Sequence, residues 1–125
     1  MTISPRVLLV EDSQSMTSIY RGYLSSSAYE VSAVASIGAA REALAAKPVD
    51  IVLLDVQLPD GNGLDFVDEL LSREDAPDIV VMTAYATADM AVEAVRRGAV
   101  DFITKPFDAT RLLVTLDNTV AQQKL

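Results

Sequence analysis

The stretch Ile51-Val52-Leu53-Leu54-Asp55 is a short run of branched apolar residues that ends in a carboxylate. Side chains that are apolar on both sides of the pleat are typical of a parallel strand covered by helices on both faces. Four further runs rich in branched residues predict strands, at 6–10, 30–34, 79–83 and 101–104. Helical patterns separate these runs, so the sequence predicts an α/β fold.

The number of predicted strands limits the topology. Five βα repeats are too few for an eight-stranded barrel. This leaves a doubly wound open sheet of five parallel strands with helices on both faces, in the common order 2-1-3-4-5. The C-terminal ends of strands one and three then mark the crevice where such folds bind ligands. We therefore expect Glu11, Asp12 and Asp55 to meet there, with Thr83 and Lys105 ending the fourth and fifth strands.

Apolar residues at helical spacing predict which helix faces pack in the core. They are Met16, Ile19, Tyr20, Tyr23 and Leu24 in the first helix, Ala40 and Leu44 in the second, Leu64, Val67 and Leu71 in the third, Ala91, Ala94 and Val95 in the fourth, and Leu113, Leu116 and Val120 in the fifth. Thr87 is placed to cap the fourth helix, and Gly98 to end it in a left-handed conformation.

The composition limits the class of protein. With 125 residues the chain is about one domain long, and residues 1–125 are predicted to form a single domain. No apolar run approaches the roughly 20 residues of a membrane span. The first residues lack the pattern of an export signal, which predicts a cytoplasmic location. The absence of cysteine and histidine excludes disulfides, thiol chemistry, imidazole bases and most zinc sites.

The charge favours bound cations over nucleic acid. The formal net charge is −8, whereas phosphate contacts need clustered lysine and arginine. Taken singly, the polar residues at the strand ends have ordinary explanations: Asp12 can cap a helix, Asp55 can be a solvated strand end, Thr83 can be an ordinary strand residue, and Lys105 can be a hydrated surface lysine. Together they would crowd carboxylates into one pocket, which raises their pKa values unless a cation lies among them.

Mg²⁺ fits such a pocket, because it takes carboxylate, water and phosphate oxygens. The same residues suit phosphoryl transfer, in which a protein positions the group and neutralises charge on its oxygens. In this scheme the Asp55 carboxylate attacks phosphorus, Mg²⁺ and Lys105 balance the oxygens, and Thr83 donates a hydrogen bond to the product. The scheme needs no histidine from this chain.

Four segments resemble a known family. They are Val7-Leu8-Leu9-Val10-Glu11-Asp12, Asp55-Val56-Gln57-Leu58-Pro59-Asp60-Gly61, Met82-Thr83-Ala84 and Lys105-Pro106-Phe107. Together they resemble the receiver domains of two-component response regulators over essentially the whole chain, which implies the flavodoxin-like receiver fold. The stretch 83–102 is especially similar to receivers of NtrC-type sigma-54-dependent transcriptional activators, with quorum-sensing regulators the nearest likeness.

The resemblance implies a role for each matching acid. Asp55 is expected to be the phosphorylation site. Asp12, Asp55 and the backbone carbonyl of Gln57 are expected to bind Mg²⁺, and Glu11 is expected to act through a metal-bound water. Glu11 replaces the more usual aspartate of the family, a change that many receivers accept.

The resemblance also implies a switch. A phosphorylated Asp55 would draw in the Thr83 hydroxyl, and Phe102 would turn into the vacated space. Phe102 stands where the family often has tyrosine, and a simple core aromatic is the alternative reading. The Lys105-Pro106 bond is typically cis in the family, which proline permits. Gln57 and Tyr85 occupy positions that influence the lifetime of the phosphoryl group.

Partners follow from the same resemblance. The expected phosphoryl donor is a phosphohistidine on a sensor histidine kinase or a histidine phosphotransfer protein. It is expected to dock on the small, polar face of the first helix, at Ser15, Ser18 and Gly22. An effector domain is expected on the same chain if this is the N-terminal part of a longer transcriptional regulator, and a homodimer is plausible. Direct contact with nucleic acid or membrane is not expected.

Other functions compete with this reading. A stand-alone receiver that acts by protein contacts would keep the same chemistry. A metal-dependent phosphohydrolase with an aspartyl nucleophile usually carries a second aspartate two residues later as general acid, but Gln57 occupies that position and cannot recycle a proton. We therefore expect self-catalysed phosphorylation and slow hydrolysis, as in a switch, rather than an enzyme with turnover.

Overall fold

A central parallel sheet organises the chain in the computed structural model, which describes residues 4–84 and 87–123. Its strands are β1 (Arg6–Val10), β2 (Glu30–Val34), β3 (Ile51–Asp55), β6 (Asp78–Thr83) and β7 (Asp101–Thr104), in the order β2-β1-β3-β6-β7. The predicted order 2-1-3-4-5 is confirmed, and so is the α/β class. The fourth long strand begins one residue earlier than predicted, at Asp78.

Two further strands form a small hairpin that the sequence analysis did not predict. The strands β4 (Gln57–Leu58) and β5 (Gly61–Asn62) pair in antiparallel fashion, with Gln57 opposite Asn62 and Leu58 opposite Gly61. Pro59 and Asp60 form the turn between them. Runs of two residues are too short to show the alternation by which a strand is predicted. The hairpin follows β3 directly and therefore borders the crevice.

Five helices cover the two faces of the sheet. They are α1 (Gln14–Leu24), α2 (Ile37–Ala46), α3 (Gly63–Leu71), α4 (Ala88–Arg97) and α5 (Ala109–Gln123). On one face, α2, α3 and α4 pack over side chains such as Leu8, Val52 and Leu54. On the other face, α1 and α5 pack over side chains such as Leu9 and Leu53. The two cores fix the strand ends, and hence the residues that follow them.

The ends of α4 were predicted correctly. Thr87 is its N-cap and accepts a hydrogen bond from the backbone N–H of Met90 at 3.1 Å. Gly98 follows the helix with φ 109°, in the left-handed region that favours glycine.

Three residues predicted to lie in the core are exposed instead. They are Ile19 on α1, Leu71 on α3 and Val95 on α4. A helix that packs on a flat sheet buries only a stripe about 100° wide. Each of these residues lies one position from a buried neighbour, Tyr20, Leu70 or Ala94, and is thereby rotated away from the sheet. Within residues 4–84 and 87–123, no helix is long and apolar enough to cross a membrane.

Candidate functional site

The C-terminal edge of the sheet encloses a cavity of about 220 Å³. Its lining residues are Glu11, Asp12, Ser13, Met16, Asp55, Gln57, Thr83, Ala84 and Lys105. The structure thus brings together every residue that the sequence placed in the metal and phosphoryl site. They converge because each ends a strand of the same parallel sheet, lies within two residues after one, or begins the hairpin that follows β3.

Lys105 connects two of the acids. Its Nζ lies 2.5 Å from Glu11 Oε1 and 2.7 Å from Asp55 Oδ2. The Glu11 and Asp55 side chains are only 1% and 10% exposed, and Lys105 is mostly buried as well. The reading of Lys105 as a hydrated surface lysine is therefore wrong. A buried ion pair of this kind has few water molecules to screen it.

Burial also changes the charges in the crevice. The pKa of Glu11 is raised, chiefly because burial disfavours its charged form and then because Asp55 lies beside it, although Lys105 acts in the opposite direction. Burial lowers the pKa of Lys105, but its hydrogen bonds to Asp55 and Glu11, together with the negative charges of these acids, outweigh burial and leave that pKa raised. Lys105 is therefore charged at neutral pH, while the acids beside it repel one another.

Asp12 lies at the open side of the site. The prediction that it could cap a helix is wrong, because Ser13 is the N-cap of α1 and accepts from the N–H of Met16 at 3.2 Å. Asp12 is exposed, and one carboxylate oxygen from each of Glu11, Asp12 and Asp55 lies within 4.8 Å of the others. Three carboxylates this close, with one of them open to solvent, are suited to a hard divalent cation.

The backbone after β3 holds the second oxygen of Asp55. The N–H of Gln57 donates to Asp55 Oδ1 at 3.0 Å, while Oδ2 accepts from Lys105. Gly63 closes this loop, since its N–H donates to the carbonyl of Val56 at 2.7 Å. A Cβ atom on Gly63 would overlap the carbonyl oxygen of Asp55, so a side chain at that position would displace the backbone of the site.

The predicted switch residues lie behind the crevice. Thr83 is buried, and its hydroxyl donates to the sulfur of Met90 at 3.2 Å, on the first turn of α4. Phe102 is half-buried and packs against the core under α2, α3 and α4. The Lys105-Pro106 bond is cis, as predicted. Tyr85 lies outside the described residues.

The predicted docking residues lie apart from the cavity, on the outer surface of α1. Ser15, Ser18 and Gly22 are exposed, and a Cβ on Gly22 would meet nothing within 4 Å. Ile19, 43% exposed, lies among them at helical spacing. The surface predicted as small and polar therefore has an apolar centre.

Three residues that shape the site were not predicted from the sequence. Gly63 closes the loop after β3, the Asp60 carboxylate accepts from the backbone N–H of Ile37, and Met90 contacts Thr83. The run Pro59-Asp60-Gly61 was a usable signal, since these residue types favour turns. The partner of Met90 lies on another element and leaves no local pattern in the sequence.

Comparison with known proteins agrees with this geometry. Residues 7–117 match the family model described as the response regulator receiver domain. The chain belongs to the response regulator receiver domain family. As a receiver of two-component systems, it has a site consistent with a phosphorylation switch.

Individual relatives support the assignment. The chain is 40% identical over 114 residues to the regulatory protein LuxO of Vibrio cholerae, covering 90% of this chain and 25% of LuxO. It is 35% identical over 116 residues to the chemotaxis protein CheY of Thermotoga maritima, covering 90% of this chain and 94% of CheY. The crystal structure of a LuxO receiver domain from Vibrio parahaemolyticus superimposes with a TM-score of 0.93 at 31% identity, covering 98% of this chain and 94% of that one.

The LuxO relatives confirm the predicted likeness to receivers of NtrC-type sigma-54-dependent activators. The chain spans about a quarter of the length of the LuxO relative.

Proposed function

We propose that this receiver is a phosphorylation switch in which Asp55 accepts a phosphoryl group with the help of Mg²⁺. The observation that carries the proposal is the position of Asp55. It lies at the end of the central strand β3, faces the cavity, contacts the Lys105 ammonium at 2.7 Å and lies within 4.8 Å of two further carboxylates. Stabilising phosphoryl oxygens requires such a combination of a nucleophile, a cation and metal-binding acids.

The phosphoryl transfer to Asp55 needs no general base from this chain. An Asp55 oxygen forms a bond to phosphorus as the bond between phosphorus and the donor nitrogen breaks, and the bonding electron pair stays on the imidazole. Mg²⁺, held by Asp12, Asp55 and the carbonyl of Gln57 with Glu11 acting through a water, would offset charge on the phosphoryl oxygens. Lys105 already hydrogen-bonds to Asp55 and can reach those oxygens after the transfer.

The new charge then acts on Thr83. A charge-assisted hydrogen bond from the Thr83 hydroxyl to the phosphoryl group would be worth roughly 1.5 to 3 kcal/mol. Shifting a two-state population from about 1:99 to 99:1 takes roughly 5.5 kcal/mol, so this bond alone is insufficient. The Thr83 hydroxyl must also give up its contact with Met90, which opposes the change. New Lys105 contacts and repacking of the loops, with rotation of Phe102, must therefore supply the remainder. The altered surface would be that of α4, β7 and α5.

The phosphoryl donor is proposed to be a phosphohistidine on a sensor histidine kinase or a histidine phosphotransfer protein, docked on α1. Ile19 would be the apolar centre of this interface, and Ser15, Ser18 and Gly22 its small surroundings, which matches the usual apolar core and polar rim. Replacing Ser18 by arginine should slow transfer from the cognate donor and leave phosphorylation by acetyl phosphate unchanged. Equal rates from the donor protein would contradict this docking surface.

The proposal of an effector domain rests on the length of the LuxO relative, of which this chain covers 25%. We propose that residues 1–125 form one receiver domain of a longer transcriptional regulator, whose effector domain reads the altered surface directly or through a homodimer. A stand-alone receiver that acts by protein contacts is the alternative, and the length of the native gene separates the two. In both cases we propose self-catalysed phosphorylation and slow hydrolysis without turnover of other substrates.

Intact mass spectrometry tests the central step. The chain would be incubated with acetyl phosphate and Mg²⁺, beside Asp55→Asn, a chelator control and Asp65→Asn as a matched control on the exposed surface of α3. One phosphoryl group should appear on the wild type and on Asp65→Asn only. Labelling that survives in Asp55→Asn would contradict the proposed acceptor. Sustained release of phosphate from small esters would favour the phosphohydrolase instead.

A further inference from the structure

The tip of the β4–β5 hairpin is attached to a distant helix. Asp60 lies in the turn of the hairpin, and its Oδ1 and Oδ2 accept hydrogen bonds from the backbone N–H groups of Ile37 and Gly38, each at 2.9 Å. These groups lie 23 and 22 residues earlier in the chain, in the first turn of α2. Asp60 is exposed to solvent, so burial alone does not explain this geometry.

Asp60 completes the cap of α2. The first N–H groups of a helix have no partner within the helix. In α2, the Ser36 hydroxyl accepts from Ala39 at 3.1 Å, and the Ser36 carbonyl accepts from Ala40 at 3.0 Å. The Asp60 carboxylate accepts from the two remaining N–H groups, those of Ile37 and Gly38, at the positive end of the helix dipole. The backbone N–H groups of Gly38 and Ile37 accordingly lower the pKa of Asp60.

The other end of the hairpin touches the site. Gln57 begins β4, pairs with Asn62 and donates its N–H to Asp55 Oδ1 at 3.0 Å. A Cβ on Gly61 would lie 3.0 Å from Ile37 Cδ1, so the hairpin also packs closely on the side chain that begins α2. Two strands of two residues each are not stable by themselves, and they need an external attachment to keep one position.

We propose that Asp60 is a positioning residue for the metal and phosphoryl site, because it seats the β4–β5 hairpin on α2 and thereby fixes Gln57 beside Asp55. The inference rests on the proposed function, in which the carbonyl of Gln57 binds Mg²⁺. Asp60 is not among the residues that line the cavity, and its carboxylate hydrogen-bonds to α2 instead. It acts through the backbone of the hairpin.

The test compares two ways of removing part of the α2 cap. Asp60→Ala breaks the attachment of the hairpin, whereas Ser36→Ala removes a capping side chain that accepts its hydrogen bond from Ala39 within α2. Isothermal titration of Mg²⁺ into the whole chain should show a dissociation constant raised at least about threefold in Asp60→Ala, since supporting residues of metal sites commonly matter to this degree or more. Ser36→Ala should bind Mg²⁺ like the wild type, and Asp60→Asn, which keeps one acceptor oxygen, should lie between.

A second readout follows the backbone directly. In two-dimensional ¹H–¹⁵N spectra without metal, Asp60→Ala should move the amide signals of Ile37, Gly38 and Gln57. A shift confined to Ile37 and Gly38, together with unchanged Mg²⁺ affinity, would overturn the inference and leave Asp60 a helix cap only. If the wild type itself bound no Mg²⁺, the proposed function would fail, and the Gln57 signal would still decide whether Asp60 positions the hairpin. Asp60→Asn serves for both readouts if the alanine variant does not fold.

Discussion

Two clusters in this receiver each combine three carboxylates with a single cation. In the crevice, Lys105 lies beside Glu11 and Asp55, with Asp12 at the rim. On the surface between α3 and α4, Arg97 lies 2.9 Å from Asp65, 3.6 Å from Asp68 and 2.8 Å from Glu93. The count of charges is the same, yet only the first cluster lines a cavity at the end of the central strands.

Water distinguishes the two clusters. Asp65 is 75% exposed and Glu93 42%, so solvent screens the acids around Arg97, and such pairs contribute little to stability. Glu11 is almost completely buried, and its raised pKa reflects that burial first. Among the described residues, Glu11, Asp12 and Asp55 are the group of acids close enough together to hold a metal ion. Burial at the sheet edge, rather than acidity, therefore identifies the functional cluster.

The two clusters should differ most in the stability that is lost when the central cation, Lys105 or Arg97, is replaced by methionine. Lys105→Met should lower the free energy of unfolding at pH 7 without Mg²⁺ by about 3 kcal/mol, because it leaves buried acids without their partner. Arg97→Met should cause less than about a third of that loss, since its acids remain hydrated. Urea denaturation monitored by circular dichroism measures both. Equal losses would show that burial does not distinguish the clusters.

Each cluster also has a glycine beside it, and these glycines should differ in their effect on the metal. Gly63→Ala would force the Asp55 carbonyl to move and should cost about 2 kcal/mol of stability, with weaker Mg²⁺ binding. Gly98→Ala, next to Arg97, strains a left-handed residue and meets only the flexible side chain of Leu71. It should destabilise the fold without changing the Mg²⁺ affinity, which titration calorimetry would measure. Similar Mg²⁺ affinities in the two variants would contradict the role given to Gly63.

The raised pKa of Glu11 predicts a pH dependence. A protonated Glu11 is neutral and does not attract the cation, so Mg²⁺ affinity should fall as the pH drops through this raised pKa, above the 4.5 of an ordinary glutamate. The slope should reach at most about tenfold per pH unit, the limit for one competing proton. Glu11→Gln should flatten the profile, and Glu93→Gln in the Arg97 cluster should leave it unchanged. If Glu11→Gln kept the same pH dependence of Mg²⁺ affinity, the proton that competes with Mg²⁺ would belong to another acid.

The smallest difference between the two clusters is expected in how their contribution to stability responds to salt. Raising the ionic strength to about 1 M shortens the screening length to about 3 Å, which affects exposed charges more than buried ones. The difference in urea midpoint between wild type and Arg97→Met should then disappear, while the difference for Lys105→Met should persist. If both disappeared, the ion pairs of Lys105 would be as accessible to salt as those of Arg97.

Much of the fold could be predicted because local signals agree with it. Four of the five long strands have their predicted bounds, because runs rich in branched residues mark them in the sequence. The crevice could be predicted for the same reason, because Asp12, Asp55, Thr83 and Lys105 follow or end strands of one parallel sheet. Thr87 and Gly98 carried the usual signals of helix ends.

The remaining features depend on tertiary contacts. The burial of Ile19 was predicted from helical spacing, but the width of the buried stripe is set by how α1 packs on the sheet. Asp60 bonds to amides more than twenty residues away, and Thr83 contacts Met90 on the next helix. Neither contact leaves a periodic pattern. The capping role expected of Asp12 belongs to its neighbour Ser13, a shift of one residue that propensity alone does not resolve.

We propose that the buried cluster, and not the exposed one, takes the metal and the phosphoryl group. A crystal structure of the chain with Mg²⁺ and beryllofluoride, a mimic of the phosphoryl group, tests it most directly. We predict beryllofluoride on Asp55, Mg²⁺ bound by Asp12, Asp55 and the Gln57 carbonyl, and the Thr83 hydroxyl turned from Met90 toward the fluorides. Mg²⁺ among the acids around Arg97 instead, or a crevice without beryllofluoride at saturating concentration, would contradict the account.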